Sequence, residues 1–368
     1  MTRATYILAG GGTGGHLYPG LAVAEEVVKL ESDARIVFAC SDRGIDGHIL
    51  GASEYPYAPQ PVRPLPARPR EGLAFLRAYI RSLSAAREML QDLRPVAVLG
   101  LGGFAAGPVL AMAGRRSPSA LLNPDAVVGR ANKHLAGKVR AIFTQFPSTR
   151  EELPTKLQGL VHCVGCPVRS SFIGIDRQDA IERLGLTRER KTVLVLGGSS
   201  GAASINDAMA VIANQLGLFA DTWQTLHITG RGSEARMREI YSRAKLKATV
   251  LGYCTEMDLA YGAADLVLCR GGASTVAELA ATGTPAIIMP YPHHRDDQQK
   301  LNAEASVAVG AAICIEDTCN AQANSLALKT ALLPIMSDLD LLERMTCSAA
   351  ALPKSTAGLE VAKWLLRQ

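Results

Sequence analysis

The strongest constraint on this chain is a short apolar run that stops on glycines, and it occurs twice. Tyr6-Ile-Leu-Ala-Gly-Gly-Gly12 opens the first half and Val193-Leu-Val-Leu-Gly-Gly198 opens the second. Unbroken aliphatic residues predict strands buried on both faces, as in parallel sheets. The glycines predict a tight turn, and a helical pattern follows each one. A strand running through a glycine turn into a helix is the opening of a doubly wound α/β domain. Two such openings in 368 residues, about twice an ordinary domain, predict two of them.

The alternation continues along the chain. In the first half, strand-like runs fall at Tyr6–Leu8, Arg35–Cys40, Val96–Leu99, Ala120–Leu122 and Ala141–Thr144. In the second they fall at Thr192–Leu196, Thr225–Thr229, Ala248–Leu251, Leu266–Cys269, Ala286–Met289 and Ala311–Ile315. Helical patterns lie between, at Gly20–Leu30, Phe75–Leu93, Ala203–Gln215, Ser233–Lys245 and Thr275–Thr282. The expected organisation is an N-terminal Rossmann-like domain over residues 1–168, a C-terminal one over 169–345, and a C-terminal helix within 346–368 that packs back on the first domain. Ligands of such sheets bind beyond the carboxyl ends of the strands, so the two domains are expected to face each other across a cleft that holds the site.

Composition removes several classes. Aromatic residues are only 5% while glycines number 34, which favours glycine-turned α/β units over an all-β sandwich. A net charge of +5 is too mild to suggest nucleic acid. The eight cysteines show no disulfide-like spacing, and Met1 leads almost at once into a strand, so reduced thiols and no signal peptide are expected. Cys163-Val-Gly-Cys166 has a metal or redox spacing but no second pair beside it. Pro95 to Gly114 is uncharged over twenty residues, yet its five glycines and two prolines read as strand, glycine loop and a helix opening near Gly107-Pro108, not a membrane span. Residues 63–94 carry seven arginines against three acids, with Leu73, Phe75, Leu76, Tyr79 and Ile80 among them. That is a basic amphipathic helix suited to an anionic leaflet through Arg70, Arg77 and Arg81, or an ordinary helix burying its apolar face.

Four elements carry the chemistry. Gly10-Gly11-Gly12-Thr13-Gly14-Gly15-His16 formally fits a dinucleotide fingerprint, which leaves a nicotinamide oxidoreductase open. Gly197-Gly198-Ser199-Ser200-Gly201 fits both a nucleophile elbow and an anion-cradling turn; no acid and histidine follow in the order a hydrolase needs, so the phosphate cradle is preferred. Arg270-Gly271-Gly272-Ala273-Ser274-Thr275-Val276-Ala277-Glu278 offers free N–H donors for a pyrophosphate and a carboxylate for ribose hydroxyls, or else a plain capping box between Thr275 and Glu278. Gln298-Gln299 with Asn302, after Pro290-Tyr291-Pro292, offers amides for sugar hydroxyls or simply a solvated loop.

Taken in order, these elements resemble the MurG family, the UDP-N-acetylglucosamine transferases of peptidoglycan synthesis. The likeness rests on Gly11 to His16 with Pro19-Gly20, Gly102-Gly103-Phe104 with Gly107-Pro108, Val164-Gly165-Cys166-Pro167-Val168-Arg169, Gly197-Gly198-Ser199, Arg270 to Glu278, and Gln298-Gln299 with Asn302. The resemblance implies the GT-B fold and an inverting transfer of N-acetylglucosamine to the 4-hydroxyl of a muramyl-peptide on undecaprenyl pyrophosphate. It implies a peripheral protein on the cytoplasmic face of the bacterial inner membrane. Its donor contacts would fall on Thr13, Gly14, Gly15, Arg169, Ser199, Cys254, Ala273, Ser274, Thr275, Val276, Ala277, Glu278, Gln298 and Gln299. The chain departs from the family at Leu122-Asn123-Pro124-Asp125, where His-Glu-Gln-Asn is usual, so Asp125 replaces an amide. A UDP-N-acetylglucosamine 2-epimerase, a related enzyme with another acceptor and a non-catalytic nucleotide-sugar binder are the rivals.

An inverting transfer needs a base and relief of charge on departing UDP. His16 is the candidate base and Asp125 the alternative. Helix N-termini and Arg169 can meet the leaving charge, and Asp296-Asp297 is an adjacent pair, so no metal and no cofactor are expected.

Overall fold

The computed structural model describes residues 3–64, 66, 68, 71–114, 116–198, 201–294 and 296–368. Ser199 and Arg70 lie outside the described residues. The chain forms two compact units, residues 1–170 with 355–368, and residues 171–354.

The first unit is built on a seven-stranded parallel sheet. Its strands are β1 (Thr5–Gly10), β2 (Arg35–Ser41), β3 (Tyr57–Gln60), β4 (Ala97–Gly102), β5 (Ser119–Asn123), β6 (Ala141–Thr144) and β7 (Val161–Cys163). They lie in the order 3-2-1-4-5-6-7. Side chains alternate across a sheet, and here both faces are covered. Tyr6 and Leu8 of β1 point into one core with Leu17, Leu21 and Val23 of the helix Gly14–Leu30. Ile7 and Ala9 point into the other, with Val109 and Leu110 of the helix Gly103–Ala113. That is why the strand reads as an unbroken apolar run. The C-terminal helix Ala357–Leu366 belongs to this unit, and its Val361, Ala362 and Leu365 join the first core. A fully buried valine or leucine such as Val361 or Leu365 stabilises the fold by roughly 1.5–3 kcal/mol.

The second unit repeats the plan with β8 (Lys191–Leu196), β9 (Trp223–Ile228), β10 (Ala248–Leu251), β11 (Leu266–Cys269), β12 (Ala286–Ile288) and β13 (Ala312–Cys314). Their order is 10-9-8-11-12-13, all parallel, the same 3-2-1-4-5-6 order counted from its own first strand. Its core gathers Val193, Val195, Trp223, Leu266 and Leu268 from the sheet, with Met209, Tyr241 and Leu332 from the helices.

Several elements differ from the sequence expectation. The first helix begins at Gly14 rather than Gly20: Gly14 and Gly15 adopt helical geometry, and Pro19 lies inside the helix as its sixth residue. The helix after β4 begins at Gly103, not near Gly107-Pro108; Gly102 and Gly103 turn the chain at φ 94° and 73°. Residues 203–217 form two helices, Ala203–Val211 and Ala213–Gly217. Two edge strands, β3 and β7, were not expected. Tyr57-Ala-Pro-Gln60 contains Pro59, which lacks an N–H and is tolerated on a sheet edge.

Candidate functional site

In each sheet the strand order reverses once, between β1 and β4 and between β8 and β11. Loops leaving neighbouring strands in opposite directions open a crevice there, and that is where such folds bind ligands. The glycine motifs stand at these two places.

At the first switch point the loop after β1 leads into the helix Gly14–Leu30, with Thr13 as N-cap, its side chain making no cap hydrogen bond. His16 lies in the first turn, half-buried. Its Nδ1 is 3.2 Å from the carbonyl of Gly11 and 3.1 Å from Oγ1 of Thr13. A carbonyl only accepts, so Nδ1 carries the proton and the lone pair sits on Nε2. The ring rests against Gly102 and Gly103, where a Cβ would come within 3.1 Å and 3.0 Å of it. Both glycines have positive φ, so that close approach and that turn require glycine. Burial lowers the imidazole's pKa, while the charges of Asp125 and Asp46 and the bond to Gly11 act to raise it.

Two residues that the sequence reading did not single out hold this loop. Asp46, fully buried, accepts from the N–H of Gly12 at 2.8 Å, the N–H of Ser41 at 2.9 Å and the hydroxyl of Ser41 at 2.6 Å. Arg43 lies over the Phe104 ring at 4.9 Å and donates to the Gly12 carbonyl at 3.4 Å. Asn123, at the end of β5, shapes the segment that carries Asp125. Its Nδ2 donates to the Asp125 carbonyl at 2.8 Å, and its Oδ1 accepts from Asn132 at 2.9 Å. The departure from the family's usual residues is therefore a folded turn, with Asp125 half-buried and electrostatically coupled to His16. Arg169 belongs to the same unit and lies over the Tyr18 ring at 4.9 Å.

At the second switch point the helix Ala273–Thr282 has as its N-cap Gly272, which carries no side chain to cap it. This removes the capping-box reading: Thr275 is the third helical residue, not the cap, and Glu278 lies deeper still. Ser274 and Thr275 are half-buried in the first turn. The half-buried Glu278 lies beside the Tyr261 hydroxyl, whose pKa is pushed well above its usual value by burial and by that carboxylate. The loop is braced from the next element. Asn302 donates to the Gly271 carbonyl at 3.0 Å, and Gln299 accepts from the N–H of Tyr291 at 2.8 Å. Gln298 opens the helix Gln298–Ala308. Cys254 is buried, and burial with the nearby Asp258 charge pushes its thiol up to about 11, so it is neutral. Gly198 and Gly201 turn the loop after β8 at φ 83° and 74°.

Arg270 is not available to a phosphate. Its Nη1 donates to Asp317 at 2.8 Å and to the carbonyls of Met289 and Pro290 at 2.9 and 3.0 Å, and its Nη2 donates to Ser204 at 2.8 Å. Burial acts to raise the Asp317 carboxyl, but bonds from Ser204, the Cys319 N–H, Arg270 and Asn324 hold it below the usual range. In the cysteine pair, Cys163 donates to the Gln145 carbonyl and the buried Cys166 to that of Pro167. A spaced aspartate pair that the sequence argument passed over, Asp338 and Asp340, is also local. Asp338 caps the helix Leu339–Ala350 by accepting from Leu341 at 3.1 Å.

The two units match the two domains of one glycosyltransferase family. Residues 6–144 match the glycosyltransferase family 28 N-terminal domain and residues 192–358 the glycosyltransferase family 28 C-terminal domain. The chain is 36% identical over 85% of its length to the UDP-N-acetylglucosamine–N-acetylmuramyl-(pentapeptide) pyrophosphoryl-undecaprenol N-acetylglucosamine transferase of Myxococcus xanthus, covering 80% of it. It is 31% identical over 98% of its length to the enzyme of the same name from Thermodesulfovibrio yellowstonii, covering 99%. The fold matches the crystal structure of Acinetobacter baumannii MurG over the whole of both chains, with a TM-score of 0.72 at 24% identity. The chain belongs to the MurG family of these transferases.

Proposed function

We propose that the chain transfers N-acetylglucosamine from UDP-N-acetylglucosamine to the 4-hydroxyl of undecaprenyl-pyrophosphoryl-N-acetylmuramyl-pentapeptide, with inversion, in peptidoglycan synthesis. The acceptor oxygen bonds to the sugar C1 as the bond from C1 to the diphosphate oxygen breaks. The acceptor's proton passes to Nε2 of His16, and UDP leaves. The first turn of Ala273–Thr282, with Gly272 as its N-cap, receives the diphosphate charge through backbone N–H groups, as a helix N-terminus does for any anion. Glu278 accepts the ribose hydroxyls. Thr13, Gly14, Gly15, Ser199, Cys254, Gln298 and Gln299 are assigned to the donor, and Arg169 to its diphosphate. Asp125 keeps the imidazole basic.

The observation that carries a transferase over a mere binder is His16, held with its Nδ1 proton on Gly11 and its Nε2 lone pair unprotonated near neutral pH. The test is turnover of UDP-N-acetylglucosamine with and without the lipid-linked muramyl-peptide in detergent. UDP release that needs the acceptor and yields a disaccharide supports the reading. Release of UDP with N-acetylmannosamine and no need for acceptor would place the chain with the epimerases.

The protein is further proposed to work at the cytoplasmic face of the inner membrane, against anionic lipid. Among the described residues no helix is long and apolar enough to cross a membrane. The helix Gly72–Leu93 exposes Leu73, Leu76 and Ile80, three and four residues apart on one stripe, beside exposed Arg77 and Arg81. Its other end, through Ala86, Met89, Leu90 and Leu93, is held in the core, so the apolar half is left for a lipid surface. Flotation with phosphatidylglycerol vesicles that survives Leu73→Ser, Leu76→Ser and Ile80→Ser together would end this part of the proposal.

A further inference from the structure

The segment between β5 and the helix Arg130–Leu135 is where the chain departs from its family, and two residue types there have changed places. The usual His-Glu-Gln-Asn sets a carboxylate second and an amide fourth. Leu122-Asn123-Pro124-Asp125 sets the amide second and the carboxylate fourth. Asn123 is only 3% exposed, and Asp125 is half-buried.

Asn123 uses both ends of its amide. Its Nδ2 donates to the Asp125 carbonyl at 2.8 Å and to that of Val127 at 3.5 Å. Its Oδ1 accepts from the Gly129 N–H at 3.3 Å and from Nδ2 of Asn132 at 2.9 Å. Carbonyls only accept and a backbone N–H only donates, so these partners fix which end of the amide is nitrogen. A glutamate at 123 has no donor once ionised. It would set a buried charge against those two carbonyls, with Asp125 a second like charge two residues on. The rest of the loop is fixed as well. Thr149, fully buried, donates its hydroxyl to the Ala126 carbonyl at 3.1 Å, and Val128 sits in the core. The backbone at Asp125 is thus placed by side chains on both sides of it.

The same network reaches His16. A Cβ on Gly102 would lie 3.6 Å from Nδ2 of Asn132 and 3.1 Å from the His16 ring, so that amide and the imidazole flank one glycine. Burial opposes protonation of the ring, and the charges of Asp125 and Asp46 favour it. Asp46 is held by Gly12 and Ser41, outside this network. Asn123 therefore has two routes to the imidazole: through the Asp125 charge, or through the packing of Asn132 on Gly102.

We infer, on the reading that His16 is the base, that Asn123 is a positioning residue for the transfer: its bond to the Asp125 carbonyl holds the Asp125 carboxylate where its charge acts on His16. The amide at 123 and the carboxylate at 125 are then one matched exchange, because a carboxylate at 125 serves His16 only with a donor at 123 beneath it.

The test takes two readouts on the full chain. One is the NMR titration of the His16 imidazole in histidine-labelled protein, its signal identified by its loss in His16→Gln. The other is the pH profile of kcat/KM for transfer to the lipid-linked acceptor in detergent. Both are measured for the wild type, Asn123→Ala, Asp125→Asn and the double variant. Asn123→Ser, which keeps an acceptor for the Gly129 N–H, replaces the alanine variant if that one does not fold. Asn123→Ala and Asp125→Asn are each expected to move the His16 titration to lower pH by on the order of half a unit, and the acidic limb with it. The double variant is expected to titrate with Asp125→Asn, to within about 0.2 unit, because the two residues act in series. In Asn123→Ala kcat falls by about tenfold. A His16 titration that stays or rises in Asn123→Ala overturns the proposal. So does a second full shift when Asn123→Ala is added to Asp125→Asn, since the effect then runs through Asn132. A titration that moves as expected under an acidic limb that does not move leaves Asn123 as the residue that places Asp125, and removes His16 as the base instead.

Discussion

Lowering the pH from about 7.5 to about 5.0 destabilises the second unit through one side chain, His227. This residue is fully buried on β9. Its Nε2 is 3.0 Å from Oδ1 of Asn206, whose own Nδ2 donates to the Thr229 carbonyl at 2.9 Å. Oδ1 can only accept, so Nε2 carries the proton, and Nδ1 accepts from the Tyr241 hydroxyl at 2.7 Å. No position is left for a second proton, and burial pushes the imidazole down to about 3. The unfolded chain takes up that proton near pH 6.5. Between those values the unfolded state holds more protons than the folded one, so stability rises with pH. The contribution is complete above about 6.5 and is lost at about 1.4 kcal/mol per unit as pH falls toward 3. At pH 5.0 that loss is about 2 kcal/mol, a sizeable part of a domain's stability. The assay is urea unfolding followed by the fluorescence of Trp223, in a Trp364→Phe background so that this tryptophan of the second unit reports alone. His227→Gln provides the reference, because the other titrating groups are shared and cancel in the difference. If the wild type and His227→Gln lose stability in parallel over this range, to within about 0.5 kcal/mol, the protonation argument is refuted.

His16→Ala is expected to lower turnover by about 10²–10⁴ with donor affinity unchanged, and full turnover in the variant would remove His16 as the base. Asp125→Asn removes a charge that raises the imidazole's pKa, so the acidic limb of the kcat/KM profile is expected to move to lower pH; a limb that stays put or moves up contradicts the coupling. Glu278→Gln leaves one acceptor oxygen in place of two, and calorimetry is expected to show UDP binding weaker by about tenfold. A Kd within twofold of wild type would sink the ribose assignment. Gly103→Ala forces a Cβ residue into φ 73°, with that atom 3.0 Å from the His16 ring. It is expected to cost about 1–2 kcal/mol in denaturant unfolding and to lower turnover beyond what that loss explains; unaltered turnover would show that the ring position is not set by this glycine.

What the sequence made legible was local. The strand, turn and helix at Tyr6–Gly12 and at Val193–Gly198 are written in consecutive residues, and the structure places both at switch points. Buried parallel strands were readable because both faces of β1 are apolar. The edge strands were not, because β3 and β7 have four and three residues, and β3 shows neither an apolar run nor a clean alternation. Asp46 was invisible for another reason. Its partner Gly12 is 34 positions away, and nothing near Asp46 signals that its carboxylate closes the glycine loop. Arg270 is a case of the same kind: it stands beside Gly271-Gly272, and its partner Asp317 is 47 residues on.

The Arg270–Asp317 pair decides what kind of anion site the second unit can make. A free arginine at this switch point would add a fixed charge to a diphosphate site. Here the guanidinium has a carboxylate, a hydroxyl and two carbonyls around it, and it contributes rigidity: it ties the loop after β11 to the segment after β13 and, through Ser204, to the helix that follows the loop after β8. In the proposed donor site the positive potential for a phosphate is that of the peptide dipoles at the N-terminal end of the helix Ala273–Thr282. Those dipoles are directional and already oriented by a helix anchored in the core through Val276, Ala277 and Leu279. On the proposed reading they favour the position where charge accumulates as the glycosidic bond opens, and they need no reorganisation when it does. Breaking the pair with Asp317→Asn would then free a buried cation beside the site. The expected outcome is tighter binding of UDP together with slower transfer, and tighter binding with faster transfer would refute this division of roles.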